Sequence, residues 1–160
     1  MITAVGLTAI SLFCFSADTD AAFPTRVENA KLEDSKGEPF PRIERDAEGK
    51  ITKLTLSKMQ LSADDFAAIG RVKSLRILVL NSTNVTNADL RKLCDLPALE
   101  GINLTSTEVT DEAIDSLLKA QSLKSVCLGD VAISPGAVAR LKEHFKKQDK
   151  RLALGYAQRK

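Results

Sequence analysis

Aromatic side chains are scarce in this chain: six Phe, one Tyr and no Trp make up 4% of 160 residues. Any core must therefore be built from aliphatic residues. Charge bias is missing too, because 23 basic and 21 acidic residues leave a formal +2. That balance carries no electrostatic footprint for nucleic acid. A single histidine, His144, and three cysteines argue against a Cys/His zinc site. No Gly-rich phosphate loop, G-x-S-x-G or H-E-x-x-H occurs. No metal and no cofactor is expected, and no enzyme signature is present. What remains is a chain with 44% hydrophobic and 28% charged residues, of a length that suits one domain.

Long apolar runs are equally rare. The one long uncharged apolar run, 4–15 (AVGLTAISLFCF), is too short for a bilayer span, which takes ~20 residues, and fits the apolar part of a secretory signal. Residues 1–22 are assigned to such a signal, with cleavage near Ser16–Ala17 or Ala21–Ala22, although no Lys or Arg precedes the run. The destination is then secreted or periplasmic; if the run is not a signal, it is cytoplasmic. Bulky Phe13 ahead of Cys14 speaks against a lipoprotein site. Residues 23–40, with proline and charge throughout, read as an extended lead-in.

The middle of the chain repeats. Segments starting at Ile51, Leu75, Leu99 and Leu123 are each 24 residues apart, and a fixed period of this length marks a stacked architecture. Five columns are apolar in all four copies. The fourth holds Leu54, Leu78, Ile102 and Val126, and the sixth holds Leu56, Leu80, Leu104 and Leu128. The eleventh holds Leu61, Val85, Val109 and Ile133; the sixteenth holds Phe66, Leu90, Ile114 and Val138; the nineteenth holds Ile69, Leu93, Leu117 and Leu141.

Each copy opens with the alternation of a short strand buried on one face. The twelfth position is Ser62, Thr86, Thr110 or Ser134, a helix N-cap type in every copy. Asp65 and Asp89 follow three residues later at the capping-box position, and Pro135 opens the last helix. Positions sixteen and nineteen then form an i, i+3 pair on the inner face of a short helix. Neither strand nor helix can bury its apolar face alone, so the units must stack.

The pattern L-x-x-L-x-L-x-x-T-x-[VI]-[TS], with Pro97 at the junction between copies, resembles leucine-rich-repeat proteins over residues 51–146. It is most similar to the short cysteine-containing type found in bacterial secreted proteins and in F-box substrate receptors. The resemblance implies an α/β leucine-rich-repeat solenoid of four repeats with end caps, and partner binding on the concave strand face. The chain departs from the family at the ninth position, where Met59, Thr83, Thr107 and Val131 stand in place of asparagine. Only Thr83 and Thr107 can bond the turn backbone there.

The domain is expected over 41–156, with 157–160 as a tail. Arg42–Arg45 and Ile51–Leu56, joined by an Asp-Ala-Glu-Gly turn, predict a capping hairpin. Arg151–Tyr156 predicts a final strand two residues out of register with the repeat. Cys94 falls on the helix side and Cys127 on the strand side, so free thiols are expected rather than a disulfide.

Strand positions that alternate with the buried columns predict the binding residues: Lys53, Thr55, Ile77, Val79, Asn81, Gly101, Asn103, Ser125 and Cys127, with Ser57, Thr105 and Gly129 beside them. Ile77 and Val79 are apolar where the fold needs no apolar residue, although β propensity alone also favours such side chains in strands. Cys127 and His144 lie on opposite sides of one repeat, which denies them hydrogen-bond reach. His144, in the column of Val72, Leu96 and Ala120, reads as a partly buried capping residue. Glu100, Glu108, Asp111 and Asp130 read as solvated turn and cap residues. The stretch 140–160 holds eight basic against two acidic residues, which fits a soluble capping element with cations at a helix C-terminus. Asn81, Asn84 and Asn103 stand in N-x-[ST] sequons that the repeat turn itself generates.

The function expected is a non-catalytic, monomeric module that binds a protein partner, with no nucleic acid and no membrane span. The alternatives are a structural or linking domain without a dedicated ligand, and a substrate-receptor role of F-box type.

Overall fold

The computed structural model describes residues 32–33, 39–149 and 151–153. The proposed signal, most of the lead-in and the chain beyond Ala153 lie outside the described residues. Within the lead-in, β1 (Leu32–Glu33) and β2 (Pro39–Phe40) pair antiparallel. That pairing differs from the simple extended segment expected there.

The fold is α/β, a mixed six-stranded sheet with four helices among the described residues. β3 (Arg42–Arg45) and β4 (Ile51–Thr55) form an antiparallel hairpin. Its turn is organised by Asp46, whose Oδ1 accepts the N–H groups of Glu48 at 3.1 Å and Lys50 at 2.9 Å. Gly49 supplies the left-handed residue at φ 81°.

From β4 onward every pairing is parallel: β5 (Ile77–Val79), β6 (Gly101–Asn103), β7 (Ser125–Cys127) and β8 (Arg151–Ala153) follow in chain order. Leu54 pairs with Leu78, Leu78 with Ile102 and Ile102 with Val126, so each strand advances by one repeat period. The last step, Val126 to Leu152, is two residues longer.

The helices α1 (Ala63–Ile69), α2 (Asn87–Leu93), α3 (Glu112–Lys119) and α4 (Pro135–Lys147) alternate with these strands. Their apolar residues and the inward strand residues form a single cluster. It runs through Leu54, Leu56, Phe66, Ile69, Leu78, Leu80, Leu93, Leu104, Ile114 and Leu141. The outward strand positions consequently form the other face of the sheet.

Helix starts show how local chemistry is used. Ser62 and Thr86 accept the backbone N–H of Asp65 and Asp89, whose carboxylates bond back to the cap backbone. Each such cap contributes ~1 kcal/mol. Ser134 caps α4 with Pro135 at its start. The third copy departs from expectation: α3 begins after Asp111, with no side-chain cap. Thr110 Oγ1 instead accepts a hydrogen bond from Asn87 Nδ2 at 2.8 Å. The hydroxyl is spent on the preceding repeat.

The strand-to-helix turns carry a second periodic feature. Lys58, Ser82, Ser106 and Asp130, all at the eighth position, adopt positive φ of 61°, 57°, 55° and 50°. In the next position the buried Thr83 and Thr107 hydroxyls donate to the carbonyls of Leu80 at 2.7 Å and Leu104 at 2.6 Å. Met59 is buried without such a bond.

His144 does not occupy the buried place of its column. The α4 helix continues past the point where the shorter helices stop, so Phe145, four residues after Leu141, takes the core position. His144 is half-buried and meets Gln148 Nε2 at 3.0 Å through its Nε2. No helix among the described residues is long and apolar enough to cross a membrane.

Candidate functional site

The sheet face away from the helices is built from two rows set by strand register. At the third position Lys53, Ile77, Gly101 and Ser125 lie side by side. At the fifth position Thr55, Val79, Asn103 and Cys127 do the same. The structure therefore brings eight of the nine sequence-derived residues into one two-row surface. The ninth, Asn81, continues it into the turn beside Ser57, whose hydroxyl donates to Asn81 Oδ1.

Exposure within the surface is uneven. Ile77 is 42% exposed and is the one large hydrophobic residue in that class among the described residues. Val79, Thr55, Asn103, Ser125 and Cys127 are half-buried. Gly101 departs from expectation, because it is buried rather than available for contact. A Cβ built there would lie 3.0 Å from Ser125 Oγ and 3.9 Å from Ile77 Cγ1, so the two flanking side chains close over it. Ser57 and Gly129 are likewise buried.

One edge of the surface holds Lys53, whose Nζ meets Glu44 Oε1 of β3 at 2.7 Å. Along the edge where the strands begin, Glu100 accepts from Arg76 Nη2 at 3.0 Å and from Lys124 Nζ at 3.0 Å. Those hydrogen bonds, Arg76 first and Lys124 second, hold the Glu100 carboxyl below the usual carboxylate range. The ladder escaped the reading of Glu100 as a lone solvated acid. Its signal is present in the sequence: position two reads Arg76, Glu100 and Lys124, alternating in sign one period apart.

The other polar candidates are consumed by the fold. Asn84 grips Leu61 of the preceding repeat, accepting its N–H at 2.8 Å and donating to its carbonyl at 2.9 Å. Asn103 Oδ1 accepts the N–H of Thr105 at 3.0 Å. All three sequon asparagines thus have side chains engaged in the repeat. Asp111 accepts from the Ser134 hydroxyl and N–H, both at 2.6 Å, and these bonds lower its pKa. Asp130 accepts from Ser106 Oγ at 3.2 Å.

Cys127 stands on β7 and His144 on α4, on opposite sides of the core. Cys94 is buried at the end of α2, and burial pushes its thiol up to about 12. It lines an open groove of about 480 Å³ with Arg91, Asp115 and Lys119 on the helix side. Its thiol stays protonated at neutral pH, which removes it as a nucleophile. Among the described residues, no three His, Cys, Asp or Glu side chains cluster as a metal site.

No family model and no curated protein matches the chain. Among solved structures its fold is similar to "Leiomodin-1 Actin-Binding Site 2 (ABS2)", with a TM-score of 0.51 and 10% sequence identity. The match covers 66% of this chain and 70% of the other. At that identity the likeness concerns the fold alone.

Proposed function

We propose that the chain is a leucine-rich-repeat module that binds another protein on its concave strand face, the sheet face away from the helices, and performs no catalysis. The observation that carries this is Ile77, a large aliphatic side chain left exposed within the two-row strand surface. Across residues 41–149 every other large apolar residue is buried or half-buried, and the fold gains nothing from leaving Ile77 exposed. Apolar residues desolvated at the middle of a patch are where binding energy concentrates.

The leucine-rich-repeat assignment is supported by the constant strand-to-strand period and by the apolar columns that share one core. The apolar run 4–15 supports export, in line with the bacterial secreted proteins that the repeat resembles. Actin is the partner named for the structural neighbour; among the described residues of this chain, nothing on the surface singles actin out.

The test is the double substitution Ile77→Lys with Val79→Glu. Both side chains point away from the core, so circular dichroism and thermal midpoint should stay near those of the wild type. Affinity for a partner captured by the wild-type protein should fall at least tenfold, equivalent to ~1.4 kcal/mol. Full-strength binding by the folded variant would remove this surface from the function.

A further inference from the structure

We propose that the surface around Ile77 takes an acidic, extended segment of the partner, with a short aliphatic stretch lying between carboxylates; this rests on the interaction-module reading above. The two rows that flank Ile77 contain no carboxylate: they hold Lys53, Gly101, Ser125, Thr55, Val79, Asn103 and Cys127. The acids that border them along β3 and the edge where the strands begin are engaged: Glu44 is taken by Lys53, and Glu100 is shared by Arg76 and Lys124. One carboxylate between two cations leaves a positive charge uncompensated in the ladder.

Donors are in surplus as well. Arg76 gives Glu100 one hydrogen bond from a guanidinium with five N–H groups, and Lys124 gives it one contact from an ammonium with three. Their side chains are 58% and 64% exposed, so the remaining donors face solvent. An Arg with open donors accepts a second carboxylate in a charge-assisted contact.

Spacing fits an extended ligand. Arg76 and Lys124 sit on positions two strands apart, about 9.6 Å at ~4.8 Å per strand. An extended chain rises ~3.3 Å per residue, so carboxylates two to four residues apart reach both cations through their flexible side chains. Arg76 immediately precedes β5, so a carboxylate held by Arg76 brings the ligand to the end of the strand that carries Ile77. A basic segment would bring its cations against the uncompensated charge of Arg76 and Lys124 and be repelled.

The experiment titrates the full chain with two capped fluorescent peptides. One carries a Leu-Val pair between glutamates; the other replaces every glutamate by lysine. The acidic peptide should bind, weaken as sodium chloride is raised, and exceed its lysine counterpart at least tenfold. Arg76→Glu with Lys124→Glu should weaken it at least tenfold, whereas Lys92→Glu with Lys119→Glu on the helices should leave it unchanged. Should the first pair unfold the protein by circular dichroism, Arg76→Gln with Lys124→Gln is the readout, with a threefold or greater loss expected. Absence of acidic-peptide binding, or binding unaffected by removing the two cations, overturns the proposal. Equal binding of both peptides that is abolished by Ile77→Lys with Val79→Glu also overturns it, while leaving the docking surface itself in place.

Discussion

Asn84 is the sharpest place to perturb the stacking of repeats. Its amide pairs with both backbone groups of Leu61, one repeat earlier, at 2.8 Å and 2.9 Å. Leu61 is buried and lies between β4 and α1, where the strand ladder no longer supplies partners. Asn84→Ala leaves an N–H and a C=O unpaired, and each buried unpaired group costs ~1–3 kcal/mol. Asn84 is itself only half-buried, so water recovers part of this, and the expected net loss is ~2 kcal/mol. On the scale of a domain this size, that lowers the thermal midpoint by roughly 5–10 °C. Asn84→Asp adds a sign test. It keeps an acceptor for the Leu61 N–H but sets an oxygen against the Leu61 carbonyl, so folding favours the protonated carboxyl, whose O–H can donate. A carboxyl raised above its ordinary ~3.9 on folding is harmless below that value and costs its full penalty above the folded pKa. Urea titrations across pH 3.5–7 should therefore show the Asp deficit growing with pH relative to a flat Ala deficit. An Ala variant within ~0.5 kcal/mol of wild type, or an Asp deficit that shrinks as pH rises, would refute the reasoning.

Leu80 is fully buried in the centre of the core, and Leu80→Ala should cost ~2–5 kcal/mol by denaturant midpoint. Cys94 and Cys127 are both free, so both should label in denatured, unreduced protein. In the native protein Cys127 should react first, because Cys94 is buried with its thiol pushed up to about 12. Ser82, exposed at φ 57°, should gain ~0.5–1 kcal/mol on replacement by Gly, read as a higher thermal midpoint. Glu100 is a depressed carboxyl, so its pairing contributes above its ordinary pKa and is lost as pH falls through the lower folded value. Glu100→Gln should flatten that part of the acid limb of the stability profile.

Much of the fold was legible because buried rows admit few residue types. Leu56, Leu80, Leu104 and Leu128 are all inside, and one column of leucines suffices to place four turns. The caps at Ser62 and Thr86 were legible for the same local reason, an oxygen followed three residues later by aspartate. Thr110 has the first half of that signal, but Ala113 stands where the aspartate would be and Asn87 captures the hydroxyl. Nothing within a few residues of Thr110 reveals a partner 23 positions away. The left-handed turn residues were illegible for another reason. Lys58, Ser82, Ser106 and Asp130 show no one residue type across the four copies, and none is the glycine that usually marks such backbone. His144 was legible as a partly buried residue near the helix end, but Phe145 was not legible as a core residue: past Leu141 the 3.6-residue period of a longer helix governs, and it selects Phe145.

The outer surface was legible as a set of positions but not as a pattern of charge. Strict alternation along each strand named Ile77 and Val79 without further help. It also named Gly101, which has no side chain to present and lies beneath those of Ile77 and Ser125. Buried columns announce themselves by identity, because every copy meets the same core. Exposed columns obey complementarity instead, because each copy meets its neighbour. Position two shows this: Arg76, Glu100 and Lys124 differ in identity, alternate in sign, and form one chain of ion pairs in space. The rule has a further consequence for an open row. A column alternating in sign over an odd number of members cannot neutralise itself, and here the odd member is a cation beside an exposed isoleucine. That surplus is what the proposed preference for an acidic partner rests on, a property no single residue of the surface carries.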